Sequence, residues 1–278
     1  MCEQIPPEKF NIVVQKLRHF FLSKGFIEVH TQSQPTILAA CEDPKTVSTF
    51  EWNGLKYALP QTGQMLLENH ILSNQGKHPG YFCLTTSYRQ EPKPIKGRHL
   101  TIFPLFEFET YGEMEDLIEL EKELLISLGY SSDMFVEKEY RDLMVEYNTQ
   151  ELDAIHEMKM NHDYSPVVFL KNFPKDFAYW NMKLHPDKSA SYKIDVILSG
   201  METFGSAARS CNIEEMRQQF DEISDGEYKK LLYDKFGKDR VEKEMTDYLS
   251  HDFFPRIGGG IGLSRLIRSM EILGILNF

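Results

Sequence analysis

The sequence predicts an α+β fold, with strands paired mostly by hairpins and helices packed on one face of the sheet. Three observations predict it. An Asn53-Gly54 pair separates two β-prone runs in "TFEWNGLKYALPQ", the strongest short hairpin signal a sequence offers. Two further strand-like runs, "YFCLTTSYRQE" and "TIFPLFEFETYG", are joined by the polar loop "PKPIKGRHL". Stretches with helical apolar spacing stand between such runs rather than in strict alternation with them.

In chain order, Phe10, Val13, Val14, Leu17, Phe20 and Phe21 repeat at helical spacing and Gly25 supplies the stop. "FIEVHT" alternates apolar and polar residues and reads as a strand. The hairpin and the two long strands follow, then "EMEDLIELEKELLISLGY", an amphipathic helix ending at Gly129. "SPVVFLKNFP" and "SYKIDVILSGMETFG" read as strands. From Ile213 to about Tyr248 the chain is charged and helical, broken once at Gly237, and "IGLSRLIRSMEILGIL" reads as a final helix launched from a glycine run. There are no repeats, low-complexity tracts or linkers, so one domain over 1–278 is expected.

Composition narrows the function. The 278 residues are 41% hydrophobic and 26% charged, ordinary values for a globular enzyme. A net charge of −11 counts against a general nucleic-acid binder. Four cysteines (Cys2, Cys41, Cys83, Cys211) form no CxxC pair, which gives no sign of a zinc knuckle or a disulfide framework. No apolar run is long enough to span a membrane and the first residues lack a signal-peptide layout, so a cytoplasmic protein is expected.

The run "RIGGGIGLSRLIRSM" from Arg256 to Met270 carries the first chemical hint. It is not a Walker loop, because no Gly-Lys-Ser/Thr follows, and it does not open a fold as a dinucleotide fingerprint does. Glycines ahead of a helix start still allow close approach of a ligand, and the helix offers free N–H groups to an anion, with Arg265 one turn inside. The plain alternative is a tight strand-to-helix turn with a surface arginine. Company shifts the balance: Arg89 and Glu91 on one strand and Glu107 and Glu109 on the next share a face if the loop closes a hairpin. Ion pairs of Arg89 with Glu107 and of Arg209 with Asp195 within a sheet would be the structural alternative.

These pieces resemble, in order, the three signature motifs of class II aminoacyl-tRNA synthetases of the aspartyl/asparaginyl branch. "GFIEVHT" is similar to motif 1, "YRQE…RHL" with the Phe and Glu positions after it to motif 2, and "GGGIGLSRL" to motif 3. "YKIDVILSGMETFGSAARS" and "YALPQTGQMLLE" resemble two further segments of the branch, so the likeness runs over roughly residues 10 to 275. It implies an antiparallel six- to seven-stranded sheet flanked by helices, and dimerisation through motif 1. By the same resemblance Arg89 would grip the α-phosphate of ATP and the carboxylate being activated. Glu91 would meet the adenine, Phe103 would stack on it, and Arg265 would hold the γ-phosphate beside Gly262. His99 would lie near the phosphates, and Asp195 and Glu202 would bind Mg2+. Glu42 would receive the α-ammonium of the amino acid, Gln64 and Glu107 would be further amino-acid contacts, and Arg209 would hold the substrate's far end. Arg89, Arg265 and Glu202 would carry the catalysis. Such chemistry needs cations around a pentacovalent phosphorus attacked by a carboxylate, and no nucleophilic side chain.

Four departures from the branch pattern matter. No N-terminal OB-type anticodon-binding barrel precedes motif 1. Ser264 stands where motif 3 has an acidic residue, as it does in the free-standing, ammonia-using asparagine synthetases. Ile102 replaces the usual Glu before Phe103. Leu67 replaces the lysine that aspartyl enzymes place three residues after the glutamine, and Glu107 follows the asparaginyl pattern. The expectation is an ammonia-dependent asparagine synthetase working through a β-aspartyl adenylate, with no glutaminase module in the sequence. One alternative is an aspartyl or asparaginyl ligase that passes the α-carboxyl to tRNA, a peptide or an amine. Another is a catalytically silent regulatory paralogue. Lys93, Lys96 and Arg98 on the motif 2 loop read as a solvated or ATP-facing loop rather than as an RNA site, so tRNA binding is not expected.

Overall fold

The computed structural model describes residues 5–31, 45–90, 94–95, 97–98 and 100–276. The chain runs α1 (Pro7–Ser23), β1 (Ile27–Glu28), β2 (Thr49–Trp52), β3 (Leu55–Ala58), α2 (Gln64–Ser73), β4 (Gly80–Tyr88) and β5 (Ile102–Tyr111). It continues through α3 (Met114–Leu128), β6 (Phe135–Glu139), α4 (Tyr140–Glu146), α5 (Ala154–Asp163), β7 (Val167–Pro174), β8 (Ala190–Leu198) and β9 (Met201–Ala208). Helices α6 (Ile213–Glu222), α7 (Glu227–Phe236) and α8 (Lys238–Leu249) precede β10 (Arg256–Gly262) and α9 (Leu263–Ile272).

Among the described residues eight strands form the main sheet, in the order β1-β4-β5-β10-β9-β8-β7-β6, and β2-β3 stands apart as a hairpin. The central pairs are antiparallel, but β1–β4 and β6–β7 at the two edges are parallel. The fold class is α+β as expected. The strand count exceeds the expected six to seven because β6 enters the sheet beside β7 and the short β1 beside β4. "FIEVHT" contributes only two exposed strand residues, since a parallel edge gives that run no second neighbour to bury it.

Each side of the sheet has its own partners. Even-numbered residues of β4 and β5 (Phe82, Phe106, Phe108) point to a core filled by α1, α3 and α9, with Val13, Leu17, Phe21, Leu124 and Leu266 almost fully buried. Phe21 is its hub, with ring centroids 5.1 to 5.7 Å from those of Phe26, Phe82, Phe106 and Phe108. The opposite side is not bare, as the reading of helices on one face had it. One end of it is covered by α2 and α6–α8, where Leu67, Ile71, Phe220 and Trp180 pack with Tyr81 and Cys83. The other end is covered by α4 and α5 over Val168, Leu170 and Ile197. Among the described residues the middle stays open, and there the candidate site residues gather.

Local signals explain most boundaries. Asn53 (φ 51°) and Gly54 (φ 74°) both take left-handed backbone, as the two-residue turn between β2 and β3 requires, and leave Trp52 65% exposed at its base. Gly129 ends α3 in the same region (φ 112°). The charged stretch after Ile213 breaks twice, not once: besides Gly237, residues Ser224, Asp225 and Gly226 all have positive φ between α6 and α7. The second tryptophan, Trp180, is fully buried against Phe220 and Tyr248.

One acid lies inside the core. Glu121 of α3 is fully buried, accepts the Ser206 hydroxyl at 2.6 Å, and its second oxygen has no partner among the described residues. Burial pushes its carboxyl up to about 8, the Ser206 hydrogen bond opposing and the Asp195 charge adding to the rise. The folded protein therefore keeps a proton that the unfolded chain releases near its ordinary value of 4.5. Stability is then full below that value and declines as pH rises toward 8.

Two outcomes follow from this core. Phe21→Ala should lower unfolding free energy by about 3–5 kcal/mol in denaturant titration, because the aromatic cluster cannot collapse into the space left. Glu121→Gln, which mimics the protonated acid, should raise the thermal midpoint at pH 8, leave it almost unchanged at pH 5, and flatten the decline between them.

Candidate functional site

Strand register builds the site. Cys83 lies opposite Glu107 and Tyr81 opposite Glu109, while Gly260 and Gly258 of β10 face the same two glutamates from the other side. Arg89, Phe103, Glu107 and Glu109 thus share one face with Gly258, Gly260, Gly262, Gly205 and Asp195. Two kinds of glycine stand in the run. A methyl group on Gly258 would lie 1.7 Å from Glu109 Oε2, so that residue must be glycine for Glu109 to fit. On Gly260 and Gly262 a methyl would meet nothing nearer than 3.5 Å. Those two form part of the floor of a cavity of about 790 Å3.

Cations are prominent in this cavity: Arg89, Arg98, Lys193, Arg265 and Arg268 all contribute to its wall. Arg89 lies over the Phe103 ring at 5.5 Å, and its Nε has no hydrogen-bond partner among the described residues. Arg265, from the first turn of α9, donates to the Glu202 carbonyl oxygen at 2.6 Å and stands 3.6 Å from the Glu202 carboxylate. Beside it the Ser264 hydroxyl is buried and unpartnered among the described residues. Burial works to raise the Glu202 carboxyl, but Arg265, then Lys193, Arg89 and Arg98 outweigh it and hold it below the usual carboxylate range. Glu157 of α5, to which the sequence gave no clue, pairs with Arg98 and accepts the Glu202 N–H at 2.5 Å.

Hydrogen-bonding groups share the wall with them, as Thr62, Gln64 and Glu107 also reach the cavity. Glu107 accepts from the hydroxyls of Thr62 and Thr85 and from the Gly63 N–H at 2.9 Å. Burial nevertheless leaves its carboxyl raised. Gln64 donates to Glu109 behind it. Below lies a closed network. Arg209 meets both Glu109 oxygens at 3.3 Å and Glu68 at 3.7 Å, and Arg256 donates to Glu68 and to the Tyr248 hydroxyl at 2.8 and 2.7 Å. Tyr248 and Asn181 donate to Glu68 at 2.6 and 2.7 Å. Burial opposes ionisation of Glu68, but Arg256 and Arg209 outweigh it and lower its carboxyl. For Glu109 burial prevails over Arg209, and the nearby Glu68 charge helps push it up to about 7.

Among the sequence-predicted residues, Arg89, Phe103, Glu107, Gln64, Asp195, Glu202, Gly262 and Arg265 line the one cavity. Arg209 does not. It is 2% exposed and bound to Glu109 and Glu68, so it stands one layer behind the wall, and it pairs with neither Asp195 nor a ligand-facing group. Leu67 is likewise fully buried in the α2 core rather than at the cavity. Glu42, Glu91 and His99 lie outside the described residues. Glu68, Tyr248 and Arg256 were not assigned from sequence. A buried Arg and Glu 188 positions apart give no local signal of their pairing.

The expected Mg2+ pair does not fit this geometry. Both Asp195 oxygens are taken by Lys193 Nζ, at 2.6 and 2.5 Å, and no three His, Cys, Asp or Glu side chains among the described residues converge to hold a metal. Burial pushes Asp195 up to about 7, Lys193 opposing and the Glu202 charge adding. Glu202, 41% exposed, is the one of the pair not bound bidentately by a lysine.

Comparison with known proteins agrees with this architecture. The family model for class II tRNA synthetases (D, K and N) matches residues 8–273. Asparaginyl-tRNA synthetase from Pyrococcus horikoshii, complexed with asparaginyl-adenylate, superposes with a TM-score of 0.76 at 19% identity, over 96% of this chain and 65% of that one. The asparaginyl-tRNA synthetase of Entamoeba histolytica, also in complex with asparaginyl-adenylate, gives 0.74 at 17% identity, over 96% and 63%. A putative aspartyl-tRNA synthetase from Leishmania major Friedlin gives 0.74 at 15%, over 97% and 62%. The chain thus spans a little under two thirds of the length of these relatives. With nearly its whole length matched by the family model and its sheet ordered around the glycine strand, the chain belongs to the class II tRNA synthetases of the D, K and N group.

Proposed function

We propose that this chain is a single catalytic domain that activates the carboxylate of aspartate or asparagine with ATP, releasing pyrophosphate and leaving an acyl-adenylate. The observation that carries the reading is the make-up of one cavity: several arginines and the hydrogen-bonding groups around Glu107 line it together, over glycines that leave room for a ligand. Attack of a carboxylate on the α-phosphorus brings two anions together. Arg89 is the residue placed to lower that repulsion, and Arg265 to hold the departing phosphates. Phe103 offers a flat apolar surface for the base. Because the protein's own carboxylates do not form the expected metal pair, no step is assigned to Mg2+ held by Asp195 and Glu202.

Our first reading of the second half-reaction is ammonia-dependent asparagine synthesis. Ammonia attacks the carbonyl carbon of the β-aspartyl adenylate, the acyl C–O bond to AMP breaks, and the nitrogen gives up a proton. Glu107 is suited to take it, since burial raises its basicity while three donors keep it oriented. A second reading, transfer of an asparaginyl or aspartyl α-carboxyl to tRNA, a peptide or an amine, is supported by Leu67, which stands where aspartyl enzymes place a lysine and is buried in the α2 core. In both readings Glu42 would contact the α-ammonium, and Glu91 and His99 the nucleotide. The chain would work as a homodimer, for which the exposed Leu22 and Ile27 near the edge strand β1 are suitable. Among the described residues no helix is long and apolar enough to cross a membrane.

Incubation with ATP, Mg2+ and aspartate, with and without ammonium, is the direct test. Asparagine and AMP should appear together and only with ammonium. Arg89→Ala and Arg265→Ala should each slow the reaction by about a hundredfold or more. Glu107→Gln should chiefly weaken the response to ammonium. Pyrophosphate exchange supported by asparagine, with no ammonium dependence, would favour the second reading. No nucleotide turnover with either amino acid would overturn both.

A further inference from the structure

Two residues before Asp195, Lys193 points to the same face of β8. The residues opposite them on β9 are Ala207 and Gly205, and neither has a side chain long enough to keep the lysine from folding back along the strand. Its Nζ lies between the two Asp195 oxygens at 2.6 and 2.5 Å and over the ring of Phe173 at 3.6 Å. Lysine and aspartate side chains are only 15% and 11% exposed, yet both reach the cavity wall. An ammonium with a bidentate carboxylate on one side and an aromatic face on another is held in place as a ligand would be. Mg2+ binds carboxylate oxygen at about 2.0–2.1 Å with near-octahedral demands, so to use the lone pairs of Asp195 that face the lysine it would have to displace the ammonium.

We propose that Lys193 occupies the place of a protein-held divalent cation at the Asp195–Glu202 pair. Its charge serves both acids: it neutralises Asp195 directly and is one of the four cations that steady Glu202. A metal brought into this cavity on the nucleotide would find Glu202, and not Asp195, as the carboxylate left to hold it. Asp195 positions the lysine and does not bind metal. The inference rests on the reading of the cavity as a nucleotide site, but its test contains neither nucleotide nor amino acid, so the two can fail separately.

The test is Mn2+ binding to the nucleotide-free protein, followed by electron paramagnetic resonance, for wild type, Asp195→Asn, Lys193→Met and Lys193→Met/Asp195→Asn. Wild type should bind no Mn2+ that Asp195→Asn removes. Lys193→Met should gain a single Mn2+ ion, and the double variant should lose it. Circular dichroism melts identify folded samples, and Lys193→Gln replaces Lys193→Met if the latter is unfolded. Wild-type protein that binds Mn2+ in an Asp195-dependent manner would overturn the proposal, and that comparison does not depend on how any Lys193 variant folds. A folded Lys193 variant that gains no Mn2+ site would overturn it equally.

Discussion

The pairing of a glycine strand against two glutamates governs the rest of this molecule. Because Gly258 and Gly260 lie directly opposite Glu109 and Glu107, the sheet can bury two carboxylates side by side without a side chain from β10 to displace them. Glu109 alone in that position would be costly, and the remedy extends outward through Arg209, Glu68, Arg256 and Tyr248. The network in turn ties α2 and α8 to β5 and β10. Glu107, one step toward the cavity, is satisfied instead by hydroxyls and one backbone N–H, which leaves it raised but not neutralised by an ion pair. A single register therefore separates a structural acid from one available to chemistry.

Much of this was legible in the sequence, for physical reasons. Helix α1 and the β2–β3 hairpin announce themselves through local periodicity and backbone preference, which need no knowledge of distant contacts. The shared face of Arg89, Glu91, Glu107 and Glu109 follows from alternation alone once a hairpin is assumed, and Glu91 lies outside the described residues. The family resemblance added positions that alternation cannot supply, Arg265 and Glu202 among them. What escaped were pairings between residues far apart in the chain. Arg209 was expected at a ligand and instead faces Glu109 and Glu68. Glu157 lies on a helix the sequence reading did not assign and became relevant only when α5 folded over β9. The Lys193–Asp195 contact was available as an i, i+2 spacing, but nothing in the spacing says whether such a lysine turns toward its neighbour or into solvent.

The two ends of the open face illustrate how helices define a site without entering it. Helices α2 and α6–α8 on one side and α4 and α5 on the other bury the flanks of the face and leave a gap of defined width. Polar residues at the centre keep their alternation but escape the apolar cover. This is why the same strands read as ordinary core strands on one face and as a cavity floor on the other. The departures at Ile102 and Leu67 fall outside that floor: Ile102 is 44% exposed, and Leu67 is a core residue of α2.

The placement of the two tryptophans gives the protein an optical signature of its own state. Trp52 sits 65% exposed beside the tight turn of the small hairpin, while Trp180 is fully enclosed, edge-on to Tyr248 of the buried ion network. Folded protein should emit as the sum of a red, readily quenched fluorophore and a blue, protected one. Iodide would then extinguish the first while leaving the second. Any event that loosens the ionic cluster beneath the glycine strand would be read from the blue component alone, against an internal reference carried on the same chain.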